Sequence, residues 1–74
     1  MLNQYIKINP ADNVAVALSD LKAGTEALGV TLCEDIPRGH KFTLKALKAG
    51  DDIIKYGFPT GHVTADKPAG ALVD

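Results

Sequence analysis

Hydrophobic and polar residues alternate along this 74-residue chain in short runs, each run ended by a turn that finishes in glycine. A period of two is the mark of strands with one buried face, because successive side chains point to opposite sides of the backbone. Gln4 to Asn9 sets Ile6 and Ile8 against Tyr5 and Lys7, and Asn9-Pro10 breaks it. Val14 to Leu18 places Val14, Val16 and Leu18 on one face and the small Ala15 and Ala17 on the other, which predicts close packing on both sides. Thr25 to Glu34 reads as a third strand, with Gly29 marking a bulge or a close backbone approach. His40 to Ala46 reads as a fourth and Asp52 to Tyr56 as a fifth. Gly57 to Gly61 is expected to be an irregular crossing, and His62 to Ala65 and Ala71 to Val73 are two last short runs. Thr43 to Ala49 can also be written as one helical turn, too short to be stable without tertiary support. The pattern predicts an all-β chain.

The turns share a motif: DLKAG (Asp20–Gly24), DIPRG (Asp35–Gly39), ALKAG (Ala46–Gly50) and DKPAG (Asp66–Gly70). Three of them carry an aliphatic residue at the second position, and the fourth carries Lys67 there. Glycine at the fifth position is what a backbone at positive φ asks for. The spacings are unequal and too short for a solenoid, so the repeats belong to one pseudo-repetitive unit, a single domain over 1–74.

Length limits the core. A chain of this size buries roughly 60% of its unfolded surface. With 46% hydrophobic but only 5% aromatic residues the interior should be thin, supported by a neighbouring domain or, as a homo-oligomer, by a second copy.

A net charge of −1 gives no reason to expect nucleic acid, and no arginine-rich or aromatic stacking pattern appears. The charges are unevenly spread: Arg38, Lys41, Lys45, Lys48, Lys55 and Lys67 make the second half locally positive. That is either a solvated mixed face or a surface for a small carboxylate or phosphate. No apolar run is long enough to cross a membrane and no leader is recognisable, so a cytoplasmic location is expected. Cys33 has no intramolecular partner and is read as a packed, inert thiol.

His40 and His62 each follow a glycine, lie 22 residues apart and have no acidic or cysteine partner at metal-ligand spacing. They are either surface residues at strand starts or imidazoles directed at a shared site. Lys55 and Tyr56 precede the Gly57 to Gly61 segment; Lys55 either pairs with a carboxylate or keeps its head in water over Ile53 and Ile54. The glycines do not have the spacing of a phosphate loop, and no Ser-His-acid or paired-carboxylate constellation is present. Read alone, the residues do not make a complete catalytic apparatus.

The runs IKINPADNVAVALSDLKAGTE and EDIPRGHKFTLKALKAGDDIIKYGFPTGHVTADKPAGALV resemble the amino-terminal SAF domain of the altronate and galactarate dehydratases, over about residues 6–73. GHKF (Gly39–Phe42) and IKYGFPTGH (Ile54–His62) carry the most specific part. The resemblance implies a β-clip fold of short strands with long crossing loops. It also implies loss of water from a sugar acid to give a 2-keto-3-deoxy acid, by proton abstraction beside a carboxylate and departure of a β-hydroxyl. In the full enzyme a divalent metal, iron or manganese, would assist; none is expected to be held by this domain alone. It further implies a larger C-terminal dehydratase domain or subunit as partner, so the isolated chain is expected to be inactive. His40 and His62 then become candidate catalytic residues, and Lys41, Lys55, Tyr56 and Gly57 candidate substrate contacts. A free-standing binding module for a small sugar acid or carbohydrate, and a purely structural assembly domain, are the competing readings.

Overall fold

The structure, a computed structural model describing residues 4–73, is all-β, as expected: no helix occurs among the described residues. In chain order the strands are β1 (Tyr5–Ile6), β2 (Val14–Ala17), β3 (Glu26–Ala27), β4 (Val30–Thr31), β5 (Lys41–Thr43), β6 (Asp52–Lys55), β7 (Phe58–His62) and β8 (Leu72–Val73). An antiparallel sheet runs in the order β1-β2-β5-β8, and β3-β4 and β6-β7 form two further antiparallel pairs.

The register of the central sheet explains the alternation in β2. Ala15 lies opposite Phe42, while Val14 lies opposite Thr43 and Val16 opposite Lys41. Directly opposed residues share a face, so one face carries Ala15, Ala17 and Phe42 and the other Val14, Val16 and Lys41. Each face backs a separate apolar cluster. Ala15, Ala17, Leu21, Ala27, Leu32, Ile36 and Phe42 form the first; Val14, Leu47, Ile53, Val63 and Val73 form the second. The small alanines admit the fully buried Phe42 ring, against which Tyr5 packs edge-on at 6.5 Å between centroids and 86° between planes.

The glycine turns join in two pairs. Leu21 and Ile36 exchange both backbone hydrogen bonds, at 2.9 and 2.8 Å, and Leu47 and Lys67 do the same at 2.8 and 2.7 Å. Within the first pair the aspartates cross over: Asp20 Oδ1 accepts the Arg38 N–H at 2.8 Å and Asp35 Oδ1 accepts the Ala23 N–H at 2.9 Å. In the second pair Asp66 Oδ1 accepts the Ala49 N–H at 2.8 Å. Its counterpart position is Ala46, which has no carboxylate to return. The recurring motif is therefore a docking device in which three of the four turns cap their neighbour.

Several sequence expectations need correction. Thr25 to Glu34 is a hairpin, β3 and β4, and not one strand, because Leu28 and Gly29 take φ of 52° and 83° and reverse the chain. Leu28 and Gly29 thus make a turn rather than a bulge. Gly57 to Gly61 is mostly strand β7, reached through a second turn at positive φ, Tyr56 and Gly57 at 57° and 78°. Its irregularity survives as a register shift beside Ile53 and Ile54. Thr43 to Ala49 is not helical, and Leu47 is instead the bridge residue of the third turn. Cys33 is exposed, not packed, although its thiol donates to Gly70 O at 3.4 Å.

Candidate functional site

The β6-β7 hairpin carries four of the six candidate residues, and it is fixed to the body by the loop before β2. Asn13 acts as an extra rung: its Oδ1 accepts the Ile54 N–H at 2.8 Å, its Nδ2 donates to Asp52 O at 2.9 Å, and its N–H donates to Ile54 O at 3.2 Å. Asp12, buried, accepts the Asn9 N–H on Oδ2 at 3.0 Å and the Gly57 N–H on Oδ1 at 2.8 Å. Burial acts to raise the Asp12 pKa, but backbone N–H groups of Gly57, Asn9, Tyr56 and Ile8 outweigh it and hold the carboxyl below its ordinary value. Gly57 suits this point because its φ is positive; a Cβ there would lie 2.8 Å from Asn9 Nδ2, the end of a side chain that can turn aside.

At the tip of this hairpin Tyr56 is 51% and Phe58 71% exposed, and the Lys55 ammonium stands 4.9 Å from the centre of the Tyr56 ring. The two neighbours that strand alternation sets on opposite faces are brought together because Tyr56 has left the strand for the turn. His62 lies at the other end, paired across from Asp52 while Lys55 pairs with Phe58. Three residue steps along β6 separate those pairs, roughly 10 Å. The hairpin therefore does not present His62 and the Lys55, Tyr56, Gly57 group at one point.

His62 lines a cleft of about 280 Å³ with Thr64 and Lys67, over a floor of Ile53, Val63 and Val73. All three floor residues belong to the second apolar cluster. None of His40, Lys41, Lys55, Tyr56 or Gly57 is among the lining residues. Lys41 comes near it. It is half-buried on β5, directly opposite Val73, so its Cβ stands roughly 5 Å from that residue's on the same sheet face. His40 is exposed just before β5, its carbonyl accepting the Ala17 N–H at 2.9 Å and its N–H donating to Pro37 O at 3.1 Å. Sequence reasoning left out Lys67 and Thr64 as site residues. The signal for Lys67 was its place in the repeat, where the other turns hold Leu21, Ile36 and Leu47.

A second cleft, about 230 Å³, sits at the Leu21–Ile36 bridge and is bordered by Asp20, Lys22, Asp35 and Pro37. Its two aspartates are the ones committed to capping the opposite turns. Among the described residues no group of three or more His, Cys, Asp or Glu is gathered as metal ligands would be, so these side chains do not fit a metal centre of their own. Among the described residues no helix is long and apolar enough to cross a membrane.

Comparison with known proteins follows the same residues. The family described as the altronate/galactarate dehydratase SAF domain matches residues 3–74. Altronate dehydratase of Escherichia coli strain K12 is 53% identical over 74 residues, covering 95% of this chain and 15% of that protein. Galactarate dehydratase (L-threo-forming) of the same organism is 42% identical over 73 residues, 95% of this chain and 14% of that one. The alpha subunit of (2R)-sulfolactate sulfo-lyase from Paracoccus pantotrophus is 50% identical over 44 residues, 60% of this chain and 66% of that subunit. This chain thus spans about a seventh of the length of the dehydratases it matches.

Proposed function

The chain belongs to the altronate/galactarate dehydratase SAF domain family, and on that premise we propose that it is the amino-terminal or accessory domain of a cytoplasmic sugar-acid dehydratase. In this reading it lends binding groups to a reaction that yields a 2-keto-3-deoxy acid. The observation that carries it is the match over nearly the whole chain to dehydratases seven times its length. A β-clip arrangement is in keeping with the small sheets and capped turns.

The residues support binding and orientation better than they support complete catalysis. His62 and Lys67 meet at one cleft with Lys41 beside it, a cationic setting for an acidic sugar. His40 and the Lys55, Tyr56, Gly57 group lie apart from that cleft, and in this proposal they face the larger dehydratase domain instead. The exposed Phe58 and Tyr56 at the hairpin tip favour such a docked partner. A divalent metal would supply Lewis-acid chemistry to the reaction. Its ligands would come from the rest of the enzyme, since this chain gathers no suitable donor set among the described residues.

Two arrangements remain within the proposal, a domain of a longer chain or a separate small subunit. The similarity to a protein named as a subunit alpha, two thirds of whose length is covered, favours giving the second equal weight. The test is reconstitution: the isolated chain is expected not to dehydrate altronate or galactarate, and its addition to the larger portion is expected to restore turnover. Full turnover by the larger portion without this chain would remove the proposal. Binding of sugar acid by the isolated chain, with no effect on any dehydratase, would favour the free-standing binding module.

A further inference from the structure

The second pair of turns departs from the repeat at two positions, and both departures change charge in the same direction. Where the first pair has Asp20 and Asp35, the second has Ala46 and Asp66, one carboxylate fewer. Where the first pair bridges Leu21 to Ile36, the second bridges Leu47 to Lys67, one ammonium more. In the first pair both bridge residues are buried in an apolar cluster. In the second, Leu47 joins Ile53, Val63 and Val73, and Lys67 does not. The same three aliphatic residues, apart from Leu47, floor the cleft that Lys67 lines. Nothing in the turn's own construction asks for a cation at this point, because the bridge uses only backbone groups and three of the four turns make it with an aliphatic side chain.

We infer that the cleft bounded by His62, Thr64 and Lys67 is a carboxylate-binding subsite, in which Lys67 supplies the charge and His62 and Thr64 supply hydrogen bonds to one end of a small hydroxy acid. The lining carries a cation and no carboxylate, whereas the first cleft carries two carboxylates and one cation. Among the described residues the carboxylates on neighbouring elements are Asp52 opposite His62, Asp51, whose carbonyl accepts the Val63 N–H, Asp66 beside Lys67, and Glu34, whose Oε2 accepts the Leu72 N–H. Asp66 and Glu34 each have one carboxylate oxygen taken by a backbone N–H group, Asp66 by Ala49 and Glu34 by Leu72. A volume of about 280 Å³ is enough for one end of a small organic anion. The aliphatic floor lowers the local dielectric under the ammonium, which strengthens a charge-assisted contact over the same contact in open water. Lys41, opposite Val73, lies within reach of the second end of a dianion.

This inference rests on the dehydratase-domain reading for the identity of the acid but not for the site, and the experiment keeps the two apart. The full chain, isotopically labelled, is titrated with galactarate and, in parallel, with galactitol, the neutral polyol of equal length, while backbone amide shifts are followed. The expected result is movement of His62, Val63, Thr64 and Lys67 with galactarate and not with galactitol. Lys67→Leu, which restores the residue type of the other turns and so should fold, is expected to weaken the galactarate response about tenfold. Lys22→Leu, at the first pair, should leave it unchanged. Absence of cleft shifts, equal shifts with galactitol, or an undiminished response in Lys67→Leu overturns the subsite. If the larger dehydratase portion turns over fully without this chain while the cleft still binds galactarate, it is the dehydratase reading that falls and the subsite stands.

Discussion

The Asp12 carboxylate reaches across 45 residues of sequence to accept the Gly57 N–H at 2.8 Å, and this contact ties the turn of the β6-β7 hairpin to the loop before β2. Because its folded pKa is depressed, Asp12 contributes stability that is fully present above the ordinary carboxylate range, about 3.9, and is lost as pH falls through the lower folded value. Acid should therefore loosen this hairpin only once the pH falls below the ordinary carboxylate range. Asp12→Asn is expected to lower the melting temperature at pH 7 and to flatten its decline between pH 5 and pH 2. Amide exchange should speed up most at Gly57 and Asn9. An unaltered pH profile in Asp12→Asn would show that the depressed pKa is not coupled to folding.

Glycine substitution separates turns that need only positive φ from one that also needs space. Gly24 has φ of 90° and nothing within 4 Å of where a Cβ would stand, so Gly24→Ala should cost about 1 kcal/mol from backbone strain. At Gly70, φ 82°, a Cβ would lie 2.2 Å from Thr31 O and 2.9 Å from Thr31 C, both backbone atoms that cannot swing aside. Gly70→Ala should thus displace β4 and cost several-fold more than Gly24→Ala in urea unfolding. Equal midpoints for the two variants would contradict the close approach.

Thr43 is fully buried and inserts its hydroxyl into the fourth turn, donating to Pro68 O at 2.6 Å and accepting the Ala71 N–H at 3.0 Å. In the other turns the equivalent link is direct, as between Thr25 N–H and Lys22 O at 3.1 Å or Asp51 N–H and Lys48 O at 2.8 Å. Thr43→Val keeps the shape and removes both bonds, leaving two backbone groups unsatisfied, at a cost of about 2 kcal/mol or more. Thr43→Ser, which keeps the hydroxyl, should recover most of it. Denaturant midpoints of the two variants decide the point.

The period-two signal found β2, β5 and β6 because each presents a bulky face to one apolar cluster. It failed at Leu28, where the apolar alternation of Leu28, Val30 and Leu32 runs through a turn. Leu28 is 45% exposed and takes positive φ, a position that composition does not mark as it does for glycine. The candidate site was legible in part. His62, marked by its neighbouring glycine, lines a cleft, but the residue pattern carries no register for the hairpin. The resemblance groups His62 with Lys55 and Tyr56, which the pairing of Asp52 with His62 and Lys55 with Phe58 sets at opposite ends of the hairpin. Lys67 was visible as the odd member of the repeat. Its meaning appeared only once the bridge to Leu47 showed that an aliphatic side chain there would have belonged to the core.

The same repeat logic predicts a stabilising change at Ala46. Asp20, Asp35 and Asp66 each cap the N–H of the residue two positions beyond the opposing bridge residue, at Arg38, Ala23 and Ala49. The position that an aspartate at 46 would serve is Ala69, two beyond Lys67, and Ala46 is exposed, so the new side chain meets no packing obstacle. Ala46→Asp should therefore raise stability by about 0.5–1 kcal/mol, the usual worth of one such cap, and slow amide exchange at Ala69 in particular. It also brings a carboxylate toward Lys67. If the cleft binds a carboxylate through that ammonium, Ala46→Asp should stabilise the fold while weakening galactarate binding. A rise in stability with unchanged binding would place the Lys67 charge beyond the influence of position 46.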